Sequence, residues 1–228
     1  MPVRHAFRAF RVLVIKDLVE ELRARRAWPY MLLLGLILVL LVELQLDVPP
    51  VEKEHVVCVL LWLDIFFAGT LALDRSFASE REEDCWRTLR LYPLPPPVIF
   101  LAKLTVNLFA LLLLESILIP AFVIFSNVPL LDRPLLLALV ALLANLGFAA
   151  VGVLVSALTI TLSHRNGLLA LLVFPMMTPV LLAAAAATHL LMAPELAGKT
   201  WHWIHLLAAF SLMFTTLGLV TFEFTIED

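Results

Sequence analysis

Hydrophobic positions fall in six long runs, at 28–46, 55–75, 98–125, 134–162, 167–192 and 202–224, and none alternates apolar with polar as a strand does. Each run is close to the roughly 20 residues a helix needs to cross a hydrocarbon core, so each is read as a spanning helix. Residues 4–26 have a different rhythm. Phe7, Phe10, Val14, Leu18 and Leu22 recur at steps of three and four, while Arg4, Arg8, Arg11, Lys16, Glu20, Glu21 and Arg23 lie mostly on the other faces. This period predicts an amphipathic helix in the membrane surface. The expected fold is an all-α membrane protein, one domain over 1–228, with six transmembrane helices and an N-terminal interfacial helix.

The polar interval between the second and third runs predicts one more element, a short helix over 79–92. Ser79 can cap it with Glu82 at the third position, Glu80 and Glu82 to Asp84 favour its first turn, Arg87 and Arg90 come after them, and Pro93 stops it. Trp86, Leu89 and Tyr92, at steps of three, give it an apolar edge. Two readings stay open: a solvated connector, or a docking helix that meets a partner through Glu80, Arg81, Glu82, Trp86, Leu89 and Tyr92.

Charge sets the orientation. All but three of the 16 Lys and Arg precede the first run, surround the 76–97 interval, or stand at Arg165. The exceptions are Lys53, Arg133 and Lys199. Because basic residues stay on the cytoplasmic side, the loops bearing those three are expected outside and both termini in the cytoplasm, which an even number of spans requires. Composition agrees with a membrane location: 62% hydrophobic, 15% charged, mean hydropathy +1.00, against about 45–50% and about 25% in soluble domains. A net charge of -3 is no basis for binding nucleic acid. Cys58 and Cys85 are too few for a disulfide framework. The basic start and the apolar run from Trp28 superficially match a signal peptide. No small-residue cleavage site comes after it, since the run passes into Glu43, Gln45, Asp47 and Pro49-Pro50, and a retained first span is expected.

The runs hold features that plain anchors lack. Pro120 interrupts the third, and Pro175 and Pro179 remove two backbone donors from the fifth and should kink or unwind it, making a hinge. Asn145, Ala149, Gly152 and Ser156 share one face of the fourth, a stripe that lets helices approach closely. Asp64 and Glu115 are costly within a bilayer. They mark either a polar pathway or interhelical bonds inside the bundle.

Residues 193–200, ending Gly198-Lys199-Thr200, fit a loose phosphate-binding-loop pattern. That motif works only between a strand and a helix whose amides cradle phosphate, and here it joins two spans on the external side, so a chance match is expected. No nucleophile, paired-carboxylate or metal-ligand spacing appears, so no catalytic or metal site is assigned and no intrinsic cofactor is expected.

Several segments together resemble the membrane subunit of the haem exporter of cytochrome c maturation, the CcmB family of ABC-type permeases. They are Leu71-Ala72-Leu73-Asp74-Arg75-Ser76-Phe77, Glu80-Arg81-Glu82, Leu89 to Pro95, Phe100-Leu101-Ala102-Lys103, Leu146 to Gly152, Phe174-Pro175 with Pro179-Val180-Leu181, and Phe222-Glu223. The likeness covers essentially the whole chain and rests on order and spacing. It implies a non-enzymatic subunit of the cytoplasmic (inner) membrane, paired with a separate cytoplasmic ATPase that binds ATP and with other haem-handling subunits. Haem is the implied substrate, and two copies are expected because such a transporter needs two nucleotide-binding domains. One departure falls at the docking segment: Asp84-Cys85-Trp86-Arg87-Thr88 stands where the family has Gly and small residues, which bears on how the ATPase docks.

Given that resemblance, the external histidines acquire a second reading. His55, His189, His202 and His205, with Trp201, lie near the outer ends of runs and could contact haem or another substrate; equally, His and Trp are ordinary residents of the interface. Two other functions stay open: export of a lipid-linked glycan or drug, and a non-transporting scaffold whose ATPase releases a haem chaperone.

Overall fold

The computed structural model describes residues 3–23, 28–45, 50–76, 95–160, 168–193 and 197–227. Every regular element among them is helical: α1 (Val3–Arg23), α2 (Trp28–Gln45), α3 (Pro50–Ser76), α4 (Pro96–Ser126), α5 (Pro134–Ile160), α6 (Leu168–Met192) and α7 (Ala197–Glu227). Within α3 to α7, five stretches are long and apolar enough to cross a membrane: Glu52–Leu71, Pro96–Ser126, Pro134–Ser156, Val173–Met192 and Gly198–Phe222. The chain is therefore an all-helical, multi-pass membrane protein. α2 is helical over 18 residues, with side chains described only over 32–40.

Local chemistry sets the ends. α4 starts on the Pro95-Pro96-Pro97 run, where missing amides coincide with donors a first turn leaves free. It stops at Asn127, whose φ of 52° is left-handed and whose N–H donates to the Val123 carbonyl. α6 remains helical through Pro175 and Pro179 rather than unwinding. The carbonyls four residues before each proline still lack their usual helical donor.

The helices α3 and α6 run side by side, as matched contacts show. His55 of α3 meets His189 of α6, and Phe66 meets Phe174 farther along both helices, so the two are antiparallel. Phe66 also stacks on Phe148 of α5. A Cβ on Gly69 would collide with the Phe148 ring and Leu111, and one on Gly218 would collide with the Phe100 ring, so glycine lets these helices approach. The stripe of Asn145, Ala149, Gly152 and Ser156 is buried throughout.

The N-terminal helix holds a position that its hydrophobic period alone does not describe. α1 packs along α4. Leu13 lies against the core and Asp17 is buried, whereas Phe7, first on the expected apolar face, is 69% exposed, and so are Val12, Ile15 and Val19 in large part. The bundle-facing side of α1 thus takes in Leu13 and Asp17 beside the half-buried Phe10, Val14 and Leu18.

Candidate functional site

Three groups of polar or aromatic residues stand out: one in the core, one at the rim where α3 and α7 start, one in the first turns of α4. In the core, the Asn145 amide donates to Glu115 Oε2 at 2.7 Å, joining α5 to α4. Glu115 is 2% exposed. Its other oxygen and Asn145 Oδ1 have no hydrogen-bond partner among the described residues. Asp64 is 1% exposed. Its carboxylate lies beside Gly35 of α2, next to Leu118 of α4, and neither oxygen has a described partner. Leu118 stands one turn beyond Glu115, so the two acids share a level of the bundle without a bond between them. Asp64 is nine residues from His55, roughly 14 Å of helix, well inside the hydrocarbon layer.

Other bonds fix the core around them. The Trp62 indole N–H donates to Thr188 Oγ1 at 3.0 Å, tying α3 to α6. Ser211 Oγ donates to the Leu143 carbonyl at 2.6 Å, tying α7 to α5 beside Gly147. Trp62, Phe66, Asn145, Phe148, Met177 and Val180 line a void with room for about one water molecule. It abuts the stretch of α6 that holds both prolines.

At the end of the bundle where α3 and α7 start, the rings of His55 and His189 meet edge to face, with centroids 5.2 Å apart. Trp201 lies against His205 at 6.2 Å and His202 against Trp203 at 6.0 Å. Among the described residues no ring contact joins the two groups, so the sequence-predicted rim forms two clusters. Cys58 is buried below it. No group of three or more His, Cys, Asp or Glu among the described residues could hold a metal ion. The apparent phosphate loop lies here too. Gly198 and Lys199 are exposed in the first turn of α7, Thr200 is 2% exposed, and no strand precedes them among the described residues. A hydroxyl buried in the bundle cannot serve a nucleotide-bound cation in solvent.

The expected docking helix over 79–92, with Glu80, Arg81, Glu82, Trp86, Leu89 and Tyr92, lies outside the described residues. The next element along the chain is α4, and its first turns are well anchored. Phe100 packs against Phe222 of α7, ring centroids 5.6 Å apart, and against Gly218. One turn on, Lys103 Nζ lies 2.9 Å from Asp17 Oδ2 of α1, the side chains 6% and 7% exposed. Lys16 approaches the same carboxylate at 3.7 Å. The Asn107 amide donates to the Lys103 carbonyl. Sequence reasoning counted Lys103 as an orienting charge and passed over Asp17. The available signal was a lysine several residues inside an apolar run, a position that demands a partner.

A model of the CcmB protein family matches residues 8–227. A search of curated proteins finds no match.

Proposed function

The chain belongs to the CcmB family, the membrane permeases of ABC-type haem export in cytochrome c maturation, and from that premise we propose that it is the membrane half of an ATP-driven machine. A separate cytoplasmic ATPase docks on 79–92 through Glu80, Arg81, Glu82, Trp86, Leu89 and Tyr92. ATP binding and hydrolysis there displace that segment, and the displacement rearranges the spans about Pro175 and Pro179 of α6, a hinge where backbone bonds are missing. In this reading α2 is the sixth span, α1 lies at the inner interface, and both termini are cytoplasmic in the inner membrane. Two copies pair in the complex, alongside other haem-handling subunits.

The observation that carries this reading is the family match across nearly the whole chain. The packing agrees with it: α4 leaves the docking segment at Pro95 and is gripped at once by α7 and α1. Haem, or the haem chaperone released by the cycle, meets the outer rim at His55, His189, Trp201, His202 and His205. The void beside Asn145 is water-sized, which favours a route between two copies over one through this part of a single chain.

Reversing charge at Glu80 and Glu82 together tests the docking assignment. Co-purification of the ATPase should be lost while membrane insertion is kept; an unchanged yield of ATPase would refute the assignment.

A further inference from the structure

Burying an ion pair is a poor way to hold two helices together. Desolvating both charges costs about as much as their attraction returns, and apolar side chains of similar volume do as well or better. Yet α1 and α4, already joined through apolar neighbours of Leu13, carry such a pair, with Lys103 Nζ 2.9 Å from Asp17 Oδ2 and both side chains more than nine-tenths buried. What an ion pair adds is register. Apolar contacts let a helix slide or roll on its neighbour, whereas a buried charge has one low-energy position, against its counterion.

The place of the pair gives that register a use. Lys103 is seven residues into α4, roughly 10 Å from the helix start that emerges from the docking segment. Phe100, one turn earlier, is seated against Gly218 and Phe222 of α7. The first two turns of α4 therefore meet both α1 and α7. The other side of α1 stays exposed, with Phe7, Val12, Ile15 and Val19 beside Arg8 and Arg11, a surface suited to lipid tails and headgroup phosphates.

We propose that Asp17 and Lys103 are positioning residues that lock α1 to α4 in a single register, so that displacement of 79–92 carries the two helices as one body. The proposal rests on the docking reading above. Without the pair, α4 would move while α1 stayed in the interface, and hydrolysis would be uncoupled from the work on the outer side.

The test uses the complete complex with its ATPase. Asp17→Leu with Lys103→Met removes both charges and puts apolar side chains in their place. This double variant should insert, retain the ATPase and hydrolyse ATP within about twofold of the parent, while the cellular yield of haem-bound cytochrome c falls about tenfold or more. The charge-swapped variant, Asp17→Lys with Lys103→Asp, should recover most of that yield. Full cytochrome c yield from the apolar double variant overturns the proposal. So does a parallel fall in ATPase retention, hydrolysis and yield in both double variants, the outcome of a merely structural pair. Should the apolar variant fail to insert, the swapped variant decides: recovery sustains the proposal, and lost yield with the ATPase retained overturns it. Failure of the docking reading would show separately, as ATPase retention after charge reversal at Glu80 and Glu82.

Discussion

Two buried acids in this bundle are treated in opposite ways. Asp17, on α1, meets a lysine ammonium at 2.9 Å; Asp64, in the middle of α3, has no described partner for either oxygen. Both are more than nine-tenths buried. Where the charge is paired it joins two helices. Where it is unpaired it stabilises nothing, and a residue retained at a cost in the membrane interior is a candidate for function. Glu115 is intermediate, holding one bond from Asn145.

This contrast can be broken by substitution. The largest effect is expected at the pair: Asp17→Ala removes the counterion that α1 gives the buried Lys103, a loss of about 3 kcal/mol, read as a lower thermal midpoint of the purified complex. Gly218→Ala comes next, because its Cβ meets the Phe100 ring; overpacking costs about 1–3 kcal/mol, measured in the same way. Asp64→Leu should act in the reverse direction, stabilising by about 1 kcal/mol once an unpartnered carboxylate is gone, read as a higher midpoint, and should lower cytochrome c yield if the acid serves the cycle. A midpoint that falls as far as for Asp17→Ala would show that Asp64 is paired and erase the contrast. Lys199→Ala marks the small end, with ATP-dependent function expected unchanged; loss of nucleotide binding by the isolated chain would revive the phosphate loop.

The sequence was most legible where physics is local. Apolar runs placed α4 and α5 to within a few residues, because a bilayer forces the backbone of a span into a helix whatever its neighbours are. The small-residue stripe of α5 was visible as well, since helical spacing alone assembles it. Partnerships were not visible. Trp62 and Thr188 are 126 positions apart, Asp17 and Lys103 lie on helices separated by two others, and nothing in either local pattern names the other. The seat of α1 was not visible for the same reason: its period singles out Phe7, Phe10, Val14, Leu18 and Leu22, whereas packing along α4 buries Asp17 and half-buries Phe10, Val14 and Leu18 while Phe7 stays exposed. His55 and His189 were chosen as rim residues on their depth alone, and only packing of α3 on α6 shows that they touch each other and not the Trp201 cluster.

The central claim, that a cytoplasmic ATPase drives this chain through 79–92, is tested most directly by site-specific photo-crosslinking in intact membranes. A photoreactive residue is placed at position 86 in one variant and at position 199 in another. Illumination should join the ATPase subunit to the chain from position 86 and not from position 199. An ATPase adduct from position 199, or none from position 86 with the complex intact, would contradict both the docking site and the orientation on which it depends.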